Sequence, residues 1–110
     1  MEVKSFYKCQ SSEDEIKSSS PVLFDKDTAI SVAMQILREP HDFIGFIDQD
    51  ENVLQFYYEQ TGDIWVEHPS QTDKGSYGKL IHIDEVESLL ISLPEQFSKT
   101  CIPDLKFQAW

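Results

Sequence analysis

The sequence predicts an α+β domain in which two amphipathic helices pack on one face of an antiparallel, four-stranded meander sheet. Two segments have apolar residues at helical spacing, and between them lies a run of short apolar segments joined by tight turns. A chain of 110 residues suits a single domain with a modest core. Because such a sheet must cover one face, both helices are expected on the same side of it.

The first helix is predicted between Asp25 and Pro40. A carboxylate at Asp25 or Asp27 can cap its N-terminus by accepting a backbone N–H. Pro40 ends the helix because proline disfavours helical geometry in the residue before it. The apolar stripe consists of Ile30, Ala33, Met34 and Leu37.

Four strands are predicted from the apolar segments that follow, at residues 43–48, 53–60, 64–68 and 77–83. The first two are separated by DQDEN, whose composition favours a turn. The second and third are separated by TGD, in which Gly62 is free to adopt a positive φ. Connections this short join antiparallel neighbours. Residues 69–76 are predicted to form a loop.

A second helix is predicted over DEVESLLISL (84–93), with Asp84 at the cap and Glu87 three residues later, as in a capping box. Pro94 ends this helix. Its apolar stripe consists of Val86, Leu89, Leu90 and Leu93.

The ends of the chain are less regular. Residues 1–20 are predicted to be a polar lead in which EVKSFYK would add an edge strand, and residues 21–110 form the α+β domain proper. The C-terminal LKFQAW would add another edge strand, giving five or six strands in all. Cys9 and Cys101 lack metal-binding spacing. Free thiols are expected in a reducing compartment, and a disulfide between them is the alternative.

Side chains alternate between the two faces of a strand, and this alternation divides the run QFYYEQTGDIWVE (55–67). Leu54, Phe56, Ile64 and Val66 are predicted to pack under the helices. The opposite face is predicted to bind a partner through Gln55, Tyr57, Glu59, Asp63, Trp65 and Glu67. Amphipathic aromatic residues often anchor protein interfaces. Two alternatives remain open: the chain ends cover this face as a satellite core, or it is a platform for a sugar or small molecule.

Acidic residues outnumber basic residues by 20 to 9, which gives a formal net charge of −11. A field of this sign repels nucleic acid and anionic membranes and attracts basic partners, although acidity also serves solubility alone. The start of the chain lacks the apolar stretch of a signal peptide, and no apolar run approaches the roughly 18 residues needed to span a bilayer. A cytoplasmic protein that binds neither nucleic acid nor membrane is therefore expected.

No motif in the sequence indicates catalysis, a cofactor or a metal. The ligand spacing of a calcium loop is matched by Asp48, Asp50, Asn52 and Glu59. However, Val53 stands where that loop needs glycine, and a hairpin turn accounts for the same residues. The three histidines are scattered, and DKGSYGK (73–79) lacks the spacing of a phosphate-binding P-loop. No catalytic, cofactor-binding or metal-binding residue is predicted.

Three segments, ENVLQFYYEQTGDIWVEHP, GSYGKLIHIDEVESLL and IPDLKFQAW, resemble immunity proteins of bacterial polymorphic toxin systems. The resemblance covers residues 43–110 and includes Glu67 and Pro69 at a strand end, a Tyr-Gly pair before a helix, and a closing segment from Pro103 to Trp110. It implies a small acidic α+β protein that binds a cognate toxin at or beside its active site, without a cofactor. The partner would be a toxin with a basic surface, and the chain a monomer or homodimer.

Two other functions fit the sequence. A secretion chaperone or adaptor for an effector protein is also small and acidic, but it would be an obligate dimer that exposes apolar grooves. A small-molecule enzyme would need a deep pocket in which histidine and carboxylate groups of perturbed pKa converge. A binding protein is favoured over an enzyme because no catalytic motif is present.

Overall fold

The computed structural model describes residues 2–110, which form eight strands and two helices. The strands are β1 (Glu2–Lys8), β2 (Glu15–Ile16), β3 (Val22–Asp25), β4 (Phe43–Ile47), β5 (Val53–Tyr58), β6 (Ile64–Ser70), β7 (Gly75–Ile81) and β8 (Lys106–Ala109). The helices are α1 (Lys26–Ile36) and α2 (Ile83–Ser92). No helix in the described part of the chain has the length and apolar composition needed to cross a membrane.

All strands belong to one antiparallel sheet with the order β2-β1-β4-β5-β6-β7-β8, and β3 also pairs with β1. The domain is α+β, but the predicted sheet of four strands, or of five or six with the chain ends, is wrong because eight strands take part. Strands β4 to β7 form a meander at its centre. The segment 69–76, predicted to be a loop, instead lengthens β6 and β7, because Pro69 and Ser70 pair with Ser76 and Gly75.

The N-terminal segment departs most from expectation. Strand β1 is an interior strand, not a polar lead or an edge strand, and it pairs with β4 from Lys4–Ile47 to Lys8–Phe43. On its other side, β2 pairs with the C-terminal end of β1 and β3 with its N-terminal half. Both Val3 and Phe6 are buried, although they point to opposite faces of the strand. Burial on both faces is typical of a strand inside a sheet.

The hydrophobic core lies between the helices and one face of the sheet, which we call the core face. The strands contribute Leu54, Phe56, Ile64 and Val66, each of which is 0% exposed, as the alternation predicts. The helices contribute Ala29, Ala33, Val86 and Leu90. We call the opposite side of the sheet the open face, because neither helix lies over it.

Two side chains at the start of α1 satisfy backbone groups at helix ends, one at the start of α1 and one at the end of α2. Asp25 Oδ1 accepts a hydrogen bond from the Thr28 N–H at 2.8 Å, and this contact lowers the pKa of Asp25. Lys26 Nζ donates to the carbonyl oxygens of Ile91 and Leu93 at 2.6 and 3.2 Å. The last turn of α2 has no basic residue of its own, so α1 supplies the cation that stabilises its carbonyl end.

The N-terminus of α2 is capped by His82, and the helix begins at Ile83. His82 Nδ1 accepts from the Asp84 N–H at 3.2 Å, while the Glu85 carboxylate accepts from the His82 N–H at 2.7 Å. The predicted capping box of Asp84 and Glu87 is therefore wrong by two residues. A histidine in the neutral form can act as the acceptor that serine or aspartate usually provides.

Candidate functional site

The open face carries a row of four large side chains on four adjacent strands. The register pairs Phe43 of β4 with Tyr57 of β5, Tyr57 with Trp65 of β6, and Trp65 with Leu80 of β7. Paired residues of antiparallel strands project from the same face. Leu80 is exposed and the three aromatic residues are partly buried. We call these four residues the aromatic row.

A polar row runs beside the aromatic row. Gln55 of β5 pairs with Glu67 of β6, and a glycine flanks each of them, Gly45 on β4 and Gly78 on β7. Aromatic rings cover both glycines. The Phe6 ring of β1 lies over Gly45, and the Trp65 indole lies over Gly78, where any β-carbon would collide with it. The glycines therefore let aromatic rings approach the backbone closely on both sides of the polar pair.

A cleft of about 300 Å³ lies between the two rows. Its lining side chains include Phe43, Gln55, Tyr57, Trp65 and Glu67. A second cleft, of about 410 Å³, adjoins it beside residues 15–19 and shares Phe43 and Gln55 with it. The open face is thus a concave surface with an arm of the chain along one side.

The two polar side chains of the cleft have no partner of their own. Within residues 2–110, the ion pairs join Lys4 to Glu51 and Lys99 to Asp73, and His82 Nδ1 lies 3.3 Å from Asp84 Oδ2. Neither the Glu67 carboxylate nor the Gln55 amide forms a side-chain hydrogen bond or ion pair with another described residue, although both are partly buried. Partly buried polar groups without partners have hydrogen-bonding capacity left for a ligand.

The Tyr57 ring is held in place by His41. The His41 Nδ1 and the Tyr57 hydroxyl are hydrogen-bonded, and the two rings meet edge to face with 6.0 Å between their centroids. The His41 backbone has a positive φ of 78°, fixed by its N–H, which donates to the Tyr58 carbonyl at 2.9 Å. Its own carbonyl accepts from Gln10 Nε2 at 3.2 Å. The tyrosine thus presents its ring in a defined orientation.

Four of the six residues predicted to bind a partner, Gln55, Tyr57, Trp65 and Glu67, come together in the cleft. The other two, Glu59 and Asp63, lie in the hairpin turn between β5 and β6, where the Glu59 N–H donates to the Asp63 carbonyl at 2.9 Å. They are outside the cleft lining. The turn therefore places the two carboxylates at the end of the open face.

The rim of the cleft has charges of both signs. Glu67 is the one predicted carboxylate in its lining. Lys8 lies opposite Phe43, and Lys106 lies opposite Gly78. The residues predicted to bind a partner include only acidic charges, whereas β1 and β8, predicted as optional edge strands, bring lysines to the same face.

Three contributors to the site are missing from the residues predicted from sequence: Phe43, Leu80 and His41. The positions of Phe43 and Leu80 follow from the alternation if the register is extended by one strand on each side. His41 has no comparable signal, because its contact with Tyr57 depends on the loop conformation before β4.

The segment that matches a calcium loop is a closed hairpin turn. Asp48 is 3% exposed, and its Oδ1 accepts from the N–H groups of Asp50 and Asn52 at 2.9 and 2.8 Å. Its Oδ2 accepts from Asn52 Nδ2 at 3.2 Å and from the Phe97 N–H at 2.7 Å. No group of three or more histidine, cysteine, aspartate or glutamate side chains in residues 2–110 is arranged to hold a metal ion.

The remaining histidines and both cysteines have local roles. His68 is buried, and its Nδ1 donates to the Val53 carbonyl at 2.9 Å; His82 caps α2. Cys9 and Cys101 are free thiols, so the alternative of a disulfide between them is wrong. A hydrogen bond with Ser11 lowers the pKa of Cys9, whereas burial raises the pKa of Cys101.

Comparison with protein-family models, with curated protein sequences and with solved structures finds no match to this chain. A functional assignment therefore depends on the chemistry of the open face itself.

Proposed function

We propose that the protein is an immunity protein that binds a cognate secreted antibacterial toxin in the cytoplasm of the producing cell. It would neutralise the toxin by covering a basic active site or substrate-binding surface with its open face. The observation that carries this proposal is the cleft, where aromatic rings surround a carboxylate and an amide without partners. Inhibition by occlusion requires no catalytic residue, cofactor or metal of this chain.

The aromatic row supplies the apolar part of the proposed interface. Large aromatic side chains at the centre of an interface often contribute most of its binding energy. Trp65 lies on Gly78 and Tyr57 is hydrogen-bonded to His41. Because these rings are already ordered, binding would cost little side-chain entropy.

The overall charge supports a basic partner. A net charge of −11 attracts a cationic protein over distances longer than direct contact and raises the association rate. Glu59 and Asp63, in the hairpin turn outside the cleft lining, would add to this field without forming the centre of the interface. The lysines at the rim would restrict which basic surfaces can approach.

The dimensions of the molecule permit such an interface. A stable complex of standard size buries roughly 800 Å² on each partner. The molecule measures 35 × 31 × 26 Å along its principal axes, so its broadest side is large enough. A one-to-one complex of toxin and immunity protein is expected.

The proposal is tested with the product of the adjacent gene as the candidate toxin. Growth of a bacterial host that produces this toxin should be restored by the native chain. Trp65→Ala should weaken binding by about 2 kcal/mol or more, roughly a 30-fold rise in Kd, and growth protection should fall with it. Isothermal titration calorimetry measures the affinity, and circular dichroism verifies that the variant is folded.

Ile91→Ala is the matched control, because Ile91 is an exposed apolar residue on α2, away from the open face. It should bind and protect as the native chain does. A toxin that the native chain does not bind, or an affinity that Trp65→Ala leaves unchanged, would overturn the proposal.

The alternative is a secretion chaperone or adaptor for an effector. One observation favours it: Val22 and Leu23, adjacent residues of the short strand β3, are 42% and 54% exposed. An apolar edge strand can pair with an extended segment of another chain. In that case light scattering would show an obligate dimer, and Leu23→Lys, not Trp65→Ala, would abolish effector binding.

A further inference from the structure

The cleft has the chemistry of a receptor for one particular side chain. We propose that it binds an arginine of the partner protein, with the guanidinium paired to Glu67 and stacked against the aromatic row. This inference relies on the proposed function only for the identity of the protein that carries the arginine. The recognition itself follows from the residues of the cleft.

A cation is favoured because Glu67 is partly buried among aromatic rings and has no cationic partner in residues 2–110. An incoming cation with N–H donors can form charge-assisted hydrogen bonds with this unpartnered carboxylate, and such bonds are stronger than those between neutral groups. Lys106 lies on the same row two strands away, beyond Gly78. The Trp65 indole covers Gly78, so the ring lies between this lysine and Glu67.

Arginine fits better than lysine because the cleft offers both a fork of acceptors and flat walls. Gln55 lies directly opposite Glu67, so an amide oxygen and a carboxylate stand side by side across the strands. A guanidinium presents five N–H donors in one plane and can contact both groups. Its faces stack on aromatic rings, whereas an ammonium is more strongly hydrated and makes no planar contact.

The cleft also has room for the stem of the side chain. Its volume is about 300 Å³, and the rings close to Gly45 and Gly78 lie on either side of the polar pair. The methylene groups of arginine would lie along Tyr57 and Trp65, as the stems of long cationic side chains commonly do on apolar surfaces.

The test is an NMR titration of the full chain with N-acetyl-arginine methylamide, which requires no toxin. The chain has two tryptophans, Trp65 and Trp110. The indole N–H resonance of Trp65 should shift saturably. That of Trp110, which donates to Ser76 Oγ at 3.1 Å outside the cleft, should not move. N-acetyl-lysine methylamide should bind about tenfold more weakly, because it lacks the bidentate, stacked contact.

Glu67→Gln should weaken arginine binding about tenfold by removing the charge, and Glu59→Gln should not change it. Since the Glu67 side chain has no partner in the described residues, Glu67→Gln should keep the native melting temperature.

Absence of a saturable Trp65 shift, equal binding of the lysine probe, or unchanged binding by Glu67→Gln would each overturn the inference. If the native chain protects against a toxin but the arginine probe fails, the arginine receptor is rejected and the immunity function stands. If the probe binds but no toxin does, the immunity function falls and the receptor stands.

Discussion

The two faces of strands β5 and β6 carry nearly the same number of large side chains, yet they differ in how fully the rest of the chain covers these side chains. On the core face, Phe56 and Val66 are directly paired and 0% exposed. On the open face, the neighbouring pair of Tyr57 and Trp65 is only partly buried. The core face is completed by the helices of the same chain, whereas the open face has no helix over it.

The same contrast holds for polar groups. Buried carboxylates that serve the fold, Asp42 and Asp48, accept three and four hydrogen bonds respectively. The Glu67 carboxylate of the open face accepts none from other residues in the described part of the chain. The polar groups that serve the fold are thus satisfied within the chain, whereas the Glu67 carboxylate has hydrogen-bonding capacity left.

The sharpest way to break this comparison uses two consecutive residues. Phe56→Ala should lower the free energy of unfolding by about 3–5 kcal/mol, because it leaves a cavity in a fully buried site. Tyr57→Ala, on the opposite face, should cost about 1 kcal/mol, the scale of a cross-strand pair. Urea unfolding followed by circular dichroism measures both. Equal losses would mean that the open face is a second core and not a binding surface.

The contact between Trp65 and Gly78 is one of two places, with the ring over Gly45, where the open face resembles a packed core. Gly78→Ala should lower the free energy of unfolding by about 2 kcal/mol, because the new methyl group collides with the indole and with the Val66 carbonyl. Trp65 fluorescence should change as the ring is displaced.

Gly62→Ala provides the control for this substitution. Gly62 has a φ of +94° and no atom near the position of a β-carbon. The substitution should cost about 1 kcal/mol through backbone strain alone, and it should leave Trp65 fluorescence unchanged. An identical fluorescence change in both variants would show that the indole does not depend on Gly78.

Much of the central sheet could be predicted from sequence because its pairings are local. The five-residue connection between β5 and β6 favours antiparallel pairing. Alternation then places Phe56 and Tyr57 on opposite faces. The segment of β1 could be predicted as a strand, but its place in the interior of the sheet could not be found in this way. Its pairing of Lys4 with Ile47 joins distant parts of the chain, and the polar segment after Cys9 resembles a linker in composition.

Only the part of the candidate site that depends on local strand pairing could be predicted from sequence. Tyr57 and Trp65 share one hairpin, so their proximity follows from the turn. The lysines at the rim belong to β1 and β8, and their positions require the complete strand order. His41 depends on a loop held by Asp42, which accepts from the Gln10 N–H at 2.7 Å. Such long-range contacts have no signature in a single sequence.

The smallest expected effect on the free energy of unfolding comes from a buried hydroxyl group on the core face that lacks a hydrogen-bond partner. Ser5 is fully buried, and its Oγ is the one buried side-chain nitrogen or oxygen in residues 2–110 without a hydrogen-bond partner. Ser5→Ala should raise the free energy of unfolding by about 1 kcal/mol, because it removes a polar group that is buried without compensation. Ser76→Ala is the matched control: Ser76 is also buried, but its Oγ accepts from Trp110 Nε1, so this variant should lose about 1 kcal/mol. Urea unfolding of both variants measures whether the free energy of unfolding rises or falls in each. A loss in Ser5→Ala as large as that in Ser76→Ala would mean that the Ser5 hydroxyl is satisfied by a bound water, and that the core face is as complete in its polar groups as in its apolar packing.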